Sequence, residues 1–430
     1  MKKVILIGVI SFVSVHLSCQ LGQLSDEFNR TCSLYDWNDV NTVEQWNASH
    51  LEVIDIDQTN DDHLTLMPWT TSWYQNYRSN LLFKEVTGNF VFTSKVTVST
   101  RSGTGFPSST FSLTGIMARI PTEITPSSWT IGLEDYIFLS IGRAVSTTSW
   151  QFERKSTTNS NSQLVYEDIN DNEADIRMVK VDNAFIVMLR QASDTTFQIL
   201  HRYSRPDMND TTLQVGLVAY TDYQKVATYS HDTSFYNSHV ITDTLNPDPG
   251  IPMRTTDPDV IGQFDYARFE DVNIPPQYVG LDFSDSNQVS DSILLSLFGY
   301  DSTPTSEIGW KIWRGSNSDW DNPFNWSENS IPTSQDSILI PNCGCSEIVY
   351  PILSNGSHSY SSLKIESGGQ LTIQSNDSLT IDLSGSLNLF NNEGIILNEG
   401  TIVLEGSQGK PIQNSGTIEC LSAGQMIIEE

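Results

Sequence analysis

Hydrophobic and polar positions alternate through the stretch from Asn80 to Arg143. In NLLFKEVTGNFVFTSKVTVS, residues Phe90, Phe92, Val96 and Val98 fall on one side, and Val91, Thr93, Lys95 and Thr97 on the other. A period of two with β-branched and aromatic residues predicts a half-buried strand. FSLTGIMARI and DYIFLSIGR repeat the pattern after breaks rich in Ser, Gly and Pro. The segment Asp175 to Arg190 reads as a hairpin: two apolar strands flank Asp182-Asn183, residue types that tolerate the left-handed backbone of a tight turn. Short strands are also predicted at Leu51 to Ile56, His63 to Met67, Phe197 to Tyr203, Leu213 to Thr221 and Gln263 to Phe269. Clean helical periodicity is missing throughout. Residues 20–275 are therefore expected to form one all-β sandwich or barrel.

Pro275-Pro276 ends this domain, and the polar stretch 276–305 reads as a linker with a short amphipathic turn at Ser292 to Gly299. From 306 to 430 the period changes. The pairs Leu363/Ile365, Leu371/Ile373, Leu379/Ile381 and Leu387/Leu389 recur every eight residues, and Gly368, Gly385, Gly394 and Gly400 lie between them. Ile395/Leu397 keeps the step and Ile402/Leu404 follows one residue early. A short fixed period predicts a β-solenoid, in which each coil buries its strands against its neighbours. Asn388, Asn391, Asn392, Asn398 and Asn414 suit ladder or turn positions. Trp313, Trp320 and Trp326 are expected in the core of an N-terminal cap on this region.

Charge narrows the partners. The 430 residues carry 52 acidic and 23 basic side chains, a net charge of −29. Phosphate binding needs a cationic footprint, so nucleic acid and anionic membrane surfaces are poor partners. Residues 1–19 read as a signal peptide: Lys2 and Lys3 precede the apolar run Val4 to Val15, which is short for a membrane span. Leu17-Ser18-Cys19 resembles a bacterial lipoprotein cleavage box, which makes Cys19 a candidate lipid anchor; the other reading puts Cys19 beside an ordinary cleavage site. A secreted or cell-surface location is expected on either reading. Cys32, Cys343, Cys345 and Cys420 then permit three disulfide pairings.

Four pieces in order carry a resemblance: the acidic-Phe opening Glu27-Phe28 with Trp46 downstream, VTGNFVFTSKV, the hairpin IRMVKVDNAFIVMLRQASDTTFQIL with LQVGLVAYT after it, and the closing FDYARF. Together they resemble a concanavalin A-like (laminarinase/laminin-G-like) jelly-roll domain of the non-catalytic kind appended to glycosidases. The W-x-G…D-W…N-W…P pattern of Trp313, Gly315, Trp320, Asn325, Trp326 and Pro332 resembles the start of repeat regions in Bacteroidota surface proteins. The first resemblance implies sugar recognition. It also implies a structural Ca²⁺, with Glu27, Gly88 and Asp265 at the matching positions; hard oxygen ligands suit that ion, and the other reading gives Asp265 an ordinary salt bridge or hydrogen bond.

Catalysis is not expected. Family 16 glycoside hydrolases, catalytic relatives of this sandwich, carry alternating carboxylates on one strand face, with acid and nucleophile about 5 Å apart. The strand in the equivalent place here, DYIFLSIGR, offers Tyr136, Phe138 and Ser140 on one face and Ile137, Leu139 and Ile141 on the other. No nucleophile-elbow pattern is present. The best ligand candidate is MPWTTSWYQNYR; the other reading has its aromatics cap the edge of the sandwich. Trp69, Trp73, Tyr74 and Tyr77 are aromatic surfaces on which sugar C–H faces stack, and Arg78 is a hydroxyl partner. The sequence thus predicts a non-catalytic protein that binds a polysaccharide or glycoconjugate, carried on a solenoid stalk. A glycan-active enzyme with unaligned carboxylates and a structural adhesin without sugar binding are the alternatives.

Overall fold

The computed structural model describes residues 21–429, except 30, 47–48, 123–124, 228–232, 242–256, 301–309, 316, 328–329, 342–348, 386–387, 407–411 and 422–423. The proposed signal peptide, Cys19, Cys343 and Cys345 lie outside the described residues. The fold is all-β: a sandwich followed by a β-solenoid. The sandwich strands are β1 (Asn38–Asp39), β2 (Leu51–Ile56), β3 (Leu64–Pro68), β4 (Leu82–Val86), β5 (Phe90–Ser99), β6 (Ser112–Arg119) and β7 (Tyr136–Arg143). They continue as β8 (Trp150–Thr158), β9 (Asn161–Ile169), β10 (Glu173–Val181), β11 (Ala184–Gln191), β12 (Gln198–Ser204), β13 (Leu213–Tyr220) and β14 (Ile261–Glu270). One seven-stranded sheet has the order β1-β4-β13-β6-β7-β8-β9; the other runs β12-β11-β10-β5-β14-β3-β2.

Alternation decides what each face does. Phe90, Phe92, Val96 and Val98 of β5 and Ile137, Leu139 and Ile141 of β7 point between the sheets into one core. Their neighbours point outward, and both outer faces are covered. Over the first sheet, Trp73 packs with Leu113, Met117, Tyr136, Phe138 and Tyr220. Over the second, Phe283, Val289, Leu294 and Phe298 pack on Val91, Val179, Ile186, Met188 and Phe197. The stretch expected to be a linker is therefore, as far as residue 300, a strap bound to the sandwich. Its hydrogen bonds fix it: Arg177 Nη1 donates to the carbonyls of Phe298 and Tyr300, and the Phe197 amide donates to the Gly299 carbonyl at 3.1 Å. The strap's helix, Asp291–Phe298, starts at Ser290, whose hydroxyl accepts from the Ile293 amide. A segment that buries Leu294 and Phe298 on a partner is not a free tether.

The solenoid stacks parallel strands on three sides. The eight-residue period is one side of a coil: Ser362–Ile365, Gln370–Ile373 and Ser378–Asp382 are three sides of the same coil, and each pairs in parallel with the next coil's strand. The register departs from expectation in one place. Phe390 and Asn392, then Ile396 and Asn398, face inward, while Ile395 is 39% exposed. Of the predicted inward pairs, Leu387 lies outside the described residues, Leu389 and Leu397 are half-buried, and Ile395 faces out; the asparagines turn in instead and pair. Asn392 Nδ2 donates to Asn414 Oδ1 at 2.8 Å, and Asn398 Nδ2 donates to the Gln425 carbonyl at 2.9 Å. A one-residue slip exchanges the faces of a strand. At the other end Trp313, Trp320 and Trp326 form the expected buried cap, with Trp320 Nε1 donating to Tyr360 Oη at 2.8 Å.

Candidate functional site

The outer face of the first sheet carries the site. On β8, Phe152 points into the core, so Gln151, Glu153, Lys155 and Thr157 point outward beside Phe138 and Ser140 of β7. A cavity of about 120 Å³ opens above them, lined by Ser72, Tyr74, Phe111, Lys155, Leu164, Tyr220 and Tyr223. Tyr74 and Phe111 both meet the Tyr223 ring edge-on, at 5.4 and 5.7 Å between centroids. Tyr223 opens a short helix, Tyr223–Ala227, held in place by the preceding Asp222. The Asp222 carboxylate accepts from Thr70 (2.9 Å), Ser109 (2.8 Å) and the Asp257 amide (2.8 Å).

The floor is polar and internally paired. Lys155 Nζ lies 2.7 Å from Glu153 Oε1 and donates to the Trp73 carbonyl at 2.7 Å and to Tyr220 Oη at 3.0 Å. Tyr220 Oη donates in turn to Glu153 Oε1 at 3.1 Å. Burial pulls the Lys155 ammonium below its ordinary value against the pull of Glu153. Burial, and then the Glu153 charge, push the Tyr220 hydroxyl well above its own. Glu153 Oε2 is buried without a hydrogen-bond partner. None of the seven residues lining the cavity is a carboxylate.

The five residues expected to form an aromatic platform do not act as one surface. Tyr74 lines the cavity. Tyr77 is half-buried against Tyr223 and Tyr236. Trp69 is half-buried at the end of β3, its amide bonded to the His50 carbonyl, and it lines neither this cavity nor a second one described below. Trp73 is fully buried, and its indole Nε1 donates to the Asn80 carbonyl at 2.8 Å. Arg78 is also buried, in a four-charge network. Arg119 Nε donates to Glu134 at 2.7 Å and Nη1 to Glu44 at 2.6 Å, while Arg78 pairs with Glu44 and reaches Glu134 at 3.5 Å. Burial raises the Glu134 carboxyl, but the Arg119 and Arg78 guanidiniums outweigh it and hold the group below its ordinary value. The Met67 to Arg78 stretch is instead divided over the sheet's outer face: Trp73 packs on Leu113, Met117 and Tyr136, and Arg78 joins Arg119 of β6 in the charged network. Lys155, Tyr220 and Tyr223 were not singled out from the sequence. The alternation QFERKSTT on β8 holds the signal for Lys155 once Phe152 is known to face inward.

The residues matched to a structural Ca²⁺ do not fit one. Gly88 precedes the start of β5, whereas Asp265 sits at a bulge across from Lys95 in the middle of that strand; at about 3.3 Å per residue the two are roughly 20 Å apart. The Asp265 carboxylate is taken by Lys95 (2.8 Å) and His63 (3.1 Å), and Glu27 is forked onto Arg268 at 2.7 Å. Among the described residues no group of three or more His, Cys, Asp or Glu side chains is placed to hold a metal ion, and no helix is long and apolar enough to cross a membrane.

Residues 312–426, the solenoid with its cap, match a domain of unknown function (DUF8693). No curated protein matches the chain by sequence. Among solved structures, the chain is similar to a functionally unknown protein from Saccharomyces cerevisiae at 12% identity, covering 56% of this chain and 99% of that one with a TM-score of 0.36. It is similar to a xylan β-1,4-xylosidase from Bacillus halodurans C-125 at 11% identity and a TM-score of 0.37, covering 57% of this chain and only 39% of the xylosidase. It is also similar to a legume lectin-like domain from Entamoeba histolytica at 6% identity and a TM-score of 0.30, covering 50% of this chain and 85% of that domain. Likeness of this degree says nothing of substrate or activity.

Proposed function

We propose that the protein is a non-catalytic carbohydrate-binding protein of the cell exterior. On this reading a concanavalin A-like sandwich holds the sugar and the solenoid is its stalk; residues 1–19 direct export, with Cys19 the candidate anchor. One observation carries it: Tyr74, Tyr223 and Phe111 surround a small cavity whose floor presents the Lys155 ammonium and the Ser72 and Tyr220 hydroxyls. Rings that meet a sugar's C–H face, beside a few convergent polar groups, are the chemistry of a saccharide site. The size suits a chain end or one ring more than an extended segment. Glycosidases generally flank the scissile bond with two carboxylates, and the described residues lining this cavity include none, so the reading is one of binding. Glu153 lies beneath the floor, tied to Lys155 and Tyr220.

The test is a glycan array probed with the full chain and with Tyr223→Ala. Losing one stacking ring is expected to weaken a retained glycan by about 1–2 kcal/mol, roughly 5- to 30-fold. An array with no retained glycan favours the structural-adhesin alternative. Reducing ends released from laminarin, xylan, alginate or agar, and lost in Glu153→Gln, favour an enzyme.

A further inference from the structure

The crossover from one sheet to the other, residues 100–111 between β5 and β6, builds a second cavity. It is larger than the first, about 270 Å³, and is lined by Val98, Ser99, Thr100, Gly103, Gly105, Phe106, Trp150 and Asn172. Phe106 and Trp150 are both half-buried, with their rings 4.7 Å apart at a 49° tilt. Gly103 and Gly105 have φ of +75° and +76°, and no heavy atom lies within 4 Å of where a Cβ would stand on either. Their backbone is thus left bare toward open space, the arrangement that lets a ligand approach a main chain closely.

The loop is held by its own bonds. Thr100 Oγ1 donates to the Thr104 carbonyl and the Gly103 amide to the Thr100 carbonyl, both at 2.9 Å. Asn172 Nδ2 donates to the Val98 carbonyl at 2.7 Å and so fixes the far wall. The lining holds no charged side chain. A pair of aromatic rings, bare glycine backbone, two hydroxyls and an amide describe a neutral, polyhydroxylated ligand with an apolar face. The same crossover supplies Phe111 to the first cavity.

We infer that the 100–106 loop with Trp150 and Asn172 forms a second saccharide site, selective for uncharged sugar units, so that the sandwich engages two units. This rests on the carbohydrate reading, but not on the cavity at Tyr223.

The experiment is calorimetric titration of the full chain with neutral hexasaccharides of the cello, xylo, laminari and manno series. Three variants accompany it: Gly103→Asn, Phe106→Ala and Tyr223→Ala. Asn tolerates a positive φ, so Gly103→Asn keeps the turn while setting a side chain over the bare backbone. Thermal melts within a few degrees of the parent establish that each variant is folded. Both Gly103→Asn and Phe106→Ala are expected to weaken binding of at least one series about tenfold. Binding that falls with Tyr223→Ala but is untouched by both loop variants overturns the second site and leaves the first. Binding that falls with the loop variants alone supports the second site and removes the first. No binding in any series overturns both.

Discussion

Replacing Trp73 with Ala separates a ring that makes the fold from a ring that meets a ligand. Its side chain is fully buried. An aromatic residue of this size hides about 200 Å², worth about 5 kcal/mol at ~25 cal/mol per Å². Large-to-small substitutions of Trp in cores cost about 3–5 kcal/mol. Three further contacts disappear. The Arg119 and Arg78 guanidiniums lie 5.7 and 6.0 Å from the ring centroid, each worth about 0.5–1 kcal/mol. The Asn80 carbonyl also loses its indole donor, about 1 kcal/mol more. Because these terms overlap, the expected loss is about 5 kcal/mol. For a domain of this size that lowers the melting temperature by roughly 10–20 °C. Thermal denaturation followed by circular dichroism reads it directly, with Tyr74→Ala at the half-exposed cavity edge as a control expected to move by only a few degrees. If Trp73→Ala melts within about 3 °C of the parent and loses glycan affinity, the ring is a ligand platform and the packing described above is refuted.

Arg119→Met leaves Glu44 and Glu134 short of a buried counter-charge and is expected to cost about 3–5 kcal/mol; Arg119→Met with Glu134→Gln should recover part of that in urea unfolding. His50 is buried, and burial followed by the Arg78 charge lowers its pKa from 6.5 to about 4. The folded state therefore holds His50 neutral. That contribution is complete above pH 6.5 and is lost as pH falls toward 4, on the order of 2 kcal/mol by pH 5. His63, raised by its bond to Asp265, acts in the opposite sense and is more exposed, so His50→Gln should flatten the stability profile between pH 6.5 and 5. Truncation after residue 275 bares Val91, Val179, Ile186 and Met188 and should yield aggregating protein, whereas truncation after Tyr300 should yield a soluble sandwich; gel filtration distinguishes them. Chelation with EDTA should leave the melting temperature unchanged, since Asp265 and Glu27 already hold protein cations.

Strand periodicity made the architecture legible. The faces read for β5 and β7 are the faces observed, because each strand has one side in a shared apolar core. The eight-residue repeat was legible for the same reason, and the three tryptophans of the cap declared themselves by size. What alternation does not convey is which outer face receives a second cover. Val91, Val179 and Met188 look like ordinary second-face residues, and the cover they receive from the strap's Phe283, Val289, Leu294 and Phe298 is not written in their own strands. The candidate site was legible only in part, for a related reason. Trp73 and Tyr74 are adjacent in sequence, yet Trp73 is drawn onto Tyr136 and Tyr74 is left at the cavity edge. Tyr223 and Phe111 come from distant loops, and nothing local in the chain announces that they converge. In the solenoid, inward asparagines broke the hydrophobic rule because their amides bond from coil to coil.

The three-sided coil has a consequence for evolution. Ile381 pairs with Leu404 and Leu404 with Ile428, so successive coils are bonded in the same way at matching positions. Duplicating or deleting one whole coil would change no contact inside the sandwich, and would move its far end by about 4.8 Å, one strand spacing. Length then becomes a heritable variable that can be adjusted in equal increments, like notches on a ruler. The loops around the two cavities can diversify independently of it.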